Sequence, residues 1–214
     1  MNALFADSDL LLSALATLLV TVDPLGLVPI FISLTATLDA AGRRVVALWS
    51  TIIAFIVLAL FALGGEMLLD LLGIGLPAFR VAGGLLLFYT AFEMVFERRQ
   101  ARKEGLAESA MSRDEMRNLA AFPLAIPLMA GPGAITASIL LAPPAGSDLT
   151  RLTGLLIIIA AVCLICLAVF LASEPLQKIL GETARTVLTR LLGVVLAALA
   201  VQFVADGVKA MVVG

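Results

Sequence analysis

Histidine is absent from the 214 residues. That excludes imidazole as a metal ligand or a general base. Cysteine occurs twice, at Cys163 and Cys166. Both fall in an apolar stretch without strand pattern or polar neighbours, so the Cys-x-x-Cys spacing reads as packing, not redox chemistry. Charge is scarce at 14% of residues, against about 25% in soluble globular chains. No glycine-rich phosphate loop of the Walker type is present, so nucleotide-driven work is not expected. No cofactor, metal or nucleic-acid partner is expected. The first nine residues contain Asp7 and Asp9 but neither Lys nor Arg. A cleavable signal requires a basic start, so the first apolar run is expected to persist as an uncleaved span.

What is present is apolar: 62% of the chain is hydrophobic. This composition predicts an integral membrane protein sitting in a lipid bilayer. Six apolar runs are legible, at about residues 10–38, 45–63, 77–96, 119–142, 152–173 and 187–205. About 20 apolar residues suffice to cross a bilayer. The second run is closed by Gly64-Gly65-Glu66, and Gly73-Ile74-Gly75 marks a turn before the third. Pro143-Pro144-Ala145-Gly146 marks another. Runs one and four are interrupted near their centres. The first holds Asp23, Pro24, Gly26 and Pro29, and the fourth holds Pro123, Pro127 and Gly131-Pro132-Gly133. Aspartate and glycine are good N-caps and proline suits a first helical position. Each run therefore reads as two half-helices, the second starting at Pro24 or at Pro132. Free N–H groups and a partial positive charge would then face the midplane. The plainer alternative is that Asp23 only caps a helix and the prolines only kink one. If run one is a re-entrant hairpin instead of a span, the N-terminus changes sides.

Orientation follows the basic residues. The links after runs one, three and five hold Arg43, Arg44, Arg98, Arg99, Arg102, Lys103, Arg113, Arg117, Lys178 and Arg185. The opposite side holds only Arg151 and Lys209. Ten against two places those links in the cytoplasm and both termini outside. Residues 97–118 mix charges without an apolar face and read as a solvated cytoplasmic connector. The chain also repeats itself. At an offset of 108, Pro24 meets Pro132, Arg43 meets Arg151, Glu66 meets Glu174 and Gly73 meets Gly181. A two-residue gap then brings Arg80 onto Arg190 and Gly83 onto Gly193. Three spans per half is an odd number, so the halves, residues 1–97 and 119–214 flanking a connector at 98–118, enter the membrane in opposite senses. The expected fold is therefore all-α, with six transmembrane helices as two inverted three-helix repeats, a common plan among secondary transporters.

Three stretches are specific: Val22-Asp23-Pro24-Leu25-Gly26-Leu27-Val28-Pro29-Ile30-Phe31, residues 77–88 from Pro77-Ala78-Phe79-Arg80, and residues 122–136 around Ala130-Gly131-Pro132-Gly133-Ala134. Together they resemble the MarC family of bacterial and archaeal inner-membrane proteins, over essentially the whole chain. The resemblance implies a relation to small-neutral-amino-acid transporters and, more distantly, to LysE-type exporters. The expected function is thus secondary transport or export of a small polar solute. The alternatives are a non-transporting membrane subunit or an intramembrane enzyme, which would lack a visible nucleophile and base. The expected substrate site comprises Asp23, Pro24, Gly26, Gly131, Pro132, Gly133 and Thr136. Arg80 and Arg190 either snorkel to the interface or pair with Asp23 and with carbonyls freed at the breaks. Glu93 and Gln202 read as solvated helix ends. Gly83, Gly84, Gly193 and Ala197 read as helix-packing faces. Homo-oligomerisation is compatible with the sequence.

Overall fold

The computed structural model describes residues 2–99, 102–104, 120–143 and 148–213. The expected turn at residues 144–146 and most of the connector, 105–118, lie outside that set. The described chain is helical: α1 (Asn2–Val22), α2 (Val28–Leu34), α3 (Ala40–Leu71), α4 (Leu76–Val95), an irregular proline-bearing segment (Ala120–Met129), α5 (Pro132–Leu141), α6 (Leu149–Leu171) and α7 (Ser173–Val213). Four stretches are long and apolar enough to cross a bilayer: Ala40–Leu71, Leu76–Val95, Leu149–Leu171 and Thr183–Val213. The proline-bearing segment and α5, bent by 58° at their junction, make a fifth if counted as one span. Within α1, the described apolar stretch Leu11–Val22 is shorter than a span. The molecule is a multi-pass integral membrane protein.

Several boundaries differ from the sequence expectation, each for a local reason. The half-helix expected from Pro24 starts at Val28, after turns in which Leu27 N–H reaches the Pro24 carbonyl at 3.2 Å and Val28 N–H the Leu25 carbonyl at 3.3 Å. Pro29 lies in the first turn of α2, where its missing N–H costs no hydrogen bond. It opens a helix instead of breaking one. Helix α3 runs through Gly64-Gly65 to Leu71. Gly65 is a close approach, not a stop: a Cβ there would lie 2.5 Å from Ile139 Cγ1 of α5. The polar stretch at 174–186 is helical, interrupted only at Gly181, whose φ is 61°. The turn at Gly73 is present, with φ 69°.

Caps and close packing explain the rest. Asp39 Oδ1 accepts from Gly42 N–H at 2.8 Å and opens α3, and Asp148 Oδ1 accepts from Arg151 N–H at 3.0 Å and opens α6. Such caps contribute about 1 kcal/mol each. Helices α4 and α7 run antiparallel along a small-residue seam. Gly84 meets Ala200 and Val204, Gly193 meets Ala91 and Met94, and Gly207 meets Pro77 and Val81. In lipid, such backbone proximity is what holds helices together. Phe31 of α2 stacks on Phe170 of α6 with ring centroids 4.6 Å apart. The hydroxyls of Thr17, Thr21, Thr35, Thr51, Thr90 and Ser138 donate to carbonyls four residues back on their own helices. Buried hydroxyls are thus satisfied without cross-helix partners.

Candidate functional site

Helix α1 stops because Asp23 turns left-handed, with φ 58°. Aspartate tolerates that region when its side chain bonds locally, and here Oδ1 accepts from Gly26 N–H at 3.1 Å. Position 26 has no room for a side chain, since a Cβ would stand 2.1 Å from Asp23 Oδ2. Asp23 is buried, and its Oδ2 lies 3.2 Å from Nζ of Lys103, which is equally buried.

Lys103 belongs to the segment that follows α4, and three other groups of this region are ordered beside it. Arg99 is 6% exposed. It donates to the Thr21 carbonyl, one of those that α1 leaves without an intrahelical partner, and to Met94 Sδ at 2.9 Å. Arg102 Nη2 stands 3.0 Å from Oε2 of Glu93, which is buried. Two expectations are corrected here. Glu93 is not a solvated helix end, and the connector at Arg99 and Lys103 is not solvated but folded into the bundle. Gln202 is exposed and bonds Asp206 at 2.9 Å. Burial lowers the Lys103 ammonium from its ordinary value to about 8, against the opposing pull of the Asp23 carboxylate.

Across from these cations lies the start of α5. Gly131 is extended (φ −81°, ψ 172°) and Pro132 and Gly133 begin the helix. The first N–H groups of a helix have no carbonyl of their own to meet, and they carry its partial positive charge. Gly133 sits against the end of α1 and the middle of α4: a Cβ there would come within 3.0 Å of Thr21 Cγ2 and 3.3 Å of Thr90 Oγ1. Between these parts is a cavity of about 210 Å³, lined by Thr21, Thr90, Arg99, Arg102, Lys103, Pro127, Leu128 and residues 131–134. The two breaks, remote in sequence, therefore stand side by side around a small polar space.

Of the expected site residues, Gly131, Pro132 and Gly133 line this cavity and Asp23 reaches it through Lys103, while Pro24 and Gly26 belong to the turn beside Asp23 and do not line it. Thr136 is one turn further along α5, buried with its methyl against Gly83. Neither duplicate arginine pairs with Asp23. Arg80 lines a separate cavity of about 350 Å³ with Arg151 and Asp206, and Arg190 pairs on the surface with Glu97 at 2.7 Å. The cation facing Asp23 is Lys103. Sequence reasoning missed Arg99 and Lys103, although their i, i+4 spacing was a signal that both face one way. Among the described residues, no group of three or more Cys, Asp and Glu is placed to hold a metal ion.

Comparison with known proteins places this geometry in context. Residues 8–212 match the family described as MarC family integral membrane protein. The chain is similar to a UPF0056 membrane protein of Aquifex aeolicus, 37% identical over 94% of this chain and 92% of that one. It is 36% identical to one of Archaeoglobus fulgidus, over 91% of this chain and 90% of the relative. It is 33% identical to the Escherichia coli UPF0056 membrane protein YhcE, over 90% and 89%. No solved structure gives a significant match.

Proposed function

The chain belongs to the MarC family of integral membrane proteins, and from that premise we propose that it is a secondary transporter of a small polar solute. The observation that carries this reading is the α1–α5 junction. Ionised side chains inside a membrane bundle are costly and typically mark a solute or ion path. Interrupted helices in transporters typically frame such a site. Here two buried cations and a helix N-terminus line one cavity, and a buried carboxylate, Asp23, stands behind it on Lys103. The solute class implied by the family resemblance, a small neutral amino acid, has a carboxylate that suits the free N–H groups of α5. No enzymatic step is part of this reading.

The same reading takes the fold as six spans in two inverted repeats, in the inner (plasma) membrane, with both termini outside. Three findings support the repeat. Helix α3 packs on α6 and α4 on α7, which are the counterpart helices of the two halves. Gly73 and Gly181, 108 positions apart, are both left-handed. Asp39 and Asp148 cap counterpart helices in the same manner. The ion pair between Arg43 and Glu174 holds the links after runs one and five at one end of the molecule, as the orientation requires.

The test is flux in proteoliposomes. Labelled small amino acids and small organic acids are offered to the reconstituted protein and to empty vesicles. Uptake above the empty vesicles, lost in Asp23→Asn at equal reconstitution, is expected. Correctly folded protein that moves none of them would refute the transporter reading.

A further inference from the structure

Among the described residues the charges around the cavity do not balance, and the imbalance bears on which solute fits. The nearby carboxylates are engaged. Asp23 Oδ1 accepts from Gly26 N–H and Oδ2 faces Lys103, while Glu93 Oε2 stands 3.0 Å from Arg102 without a well-aligned hydrogen bond and lies outside the cavity wall. Among the described residues of the cavity wall, Arg99 is the cation without a direct ion pair, the Asp23 and Glu93 carboxylates acting on it only from further off. Its guanidinium, withdrawn from solvent, meets only neutral atoms in the contacts above, the Thr21 carbonyl and the Met94 sulfur. It lines the same cavity as Gly133 at the start of α5. Two sources of positive potential, a buried guanidinium and a helix N-terminus, thus face one space whose wall carries no acidic side chain among the described residues.

Resting on the transporter reading, we propose that this cavity selects a small organic monoanion, a carboxylate without an ammonium group, and that Arg99 is its charge partner. A carboxylate between Arg99 and the α5 N-terminus neutralises the surplus charge and accepts charge-assisted hydrogen bonds from both sides. A zwitterionic amino acid brings the same carboxylate but also an ammonium. Among the described residues the cavity wall offers that ammonium no carboxylate, and Lys103 already occupies Oδ2 of Asp23 behind it. The hydroxyl oxygens of Thr21 and Thr90, both donating to their own helices, retain acceptor capacity for a solute hydroxyl. Lys103 is in effect a built-in substitute for a substrate ammonium.

L-lactate and L-alanine separate the two cases, since they differ only in a hydroxyl replacing an ammonium. Binding of each to the purified full-length protein in detergent is measured by titration calorimetry, and flux of each in proteoliposomes. Lactate is expected to bind at least about tenfold more tightly than alanine, a difference that burying one unpaired ammonium more than supplies. Arg99→Gln is expected to lose that binding, Arg99→Lys to retain part of it, and the exposed Arg44→Gln to leave it unchanged. Alanine binding as tightly as lactate, or no binding of lactate at millimolar concentration, overturns the proposal. So does unaltered lactate binding in a folded Arg99→Gln protein. If Arg99→Gln does not fold, the lactate-to-alanine ratio of the unmodified protein decides. Alanine flux without lactate flux overturns the anion proposal and leaves the transporter reading standing. Lactate binding without flux of any solute does the reverse.

Discussion

Asp23 divides its two oxygens between local structure and a partner 80 residues away. Removing one member of a buried ion pair leaves the other charge stranded, typically at about 3–5 kcal/mol, whereas removing both costs far less. Asp23→Asn and Lys103→Met are each expected to lower the thermal unfolding midpoint in detergent. The double variant is expected to recover most of the loss, and a midpoint equal to the sum of the single losses contradicts a direct pair. The lowered basicity of Lys103 gives a pH dependence. Below about 8 the ammonium keeps its proton and the cavity its full positive charge. As pH rises through that value the proton leaves, Asp23 loses its counter-ion and anion affinity falls. Lactate titration at pH 7 and pH 9 should show weaker binding at the higher pH. Asp23, Gly131 and Pro132 were legible in the sequence because a carboxylate, glycines and prolines inside apolar runs violate the local rules of a spanning helix. Arg99 and Lys103 were not. Basic residues after a span ordinarily sit in water, and a contact across 80 positions leaves no periodic trace.

At the scale of the helix, existence was legible and extent was not. Apolar runs announce a span, but a Gly-Gly pair looks the same whether it ends a helix or admits a neighbour. Gly64 and Gly65 show the difference. Nothing lies within 4 Å of a Cβ built at Gly64, while at Gly65 it meets Ile139. Gly64→Ala is therefore expected to stabilise α3, by roughly 0.5–1 kcal/mol from helix propensity. Gly84→Val is expected to destabilise by about 1–3 kcal/mol through overpacking, because the added atoms meet the Ala200 carbonyl, at 2.8 Å from the Cβ, and backbone yields less readily than a side chain. Chemical unfolding in detergent would check both, and equal effects would mean that the seam is looser than its geometry. The polar stretch at 174–186 was misread for the opposite reason: its residues are compatible with helix, and solvent exposure makes a helix look like a link.

At the scale of the molecule, the two ends differ in charge and in partners. Arg43 with Glu174 and Arg190 with Glu97 close one end, while Arg80, Arg151 and Asp206 gather around the cavity at the other. The native thiols are both buried, so introduced cysteines report cleanly. A cysteine at the exposed Ile74 is expected to react with an impermeant thiol reagent in intact cells, and one at the exposed Thr37 to react only after lysis. The reverse pattern inverts the orientation. The α4–α7 seam carries a mechanical consequence. Its backbones touch at Pro77 with Gly207, at Gly84 with Ala200 and at Ala91 with Gly193. Pro77 and Ala91 are about 21 Å apart at 1.5 Å per residue. Two rods fastened at three levels over that length neither slide nor pivot without parting everywhere at once. One rod comes from the first half of the sequence and the other from the second, so the seam ties those two stretches of chain together. If the site opens, the seam predicts that the parts lining it, the end of α1 and the proline-bearing stretch with Pro127 and Leu128, shift against a fixed frame.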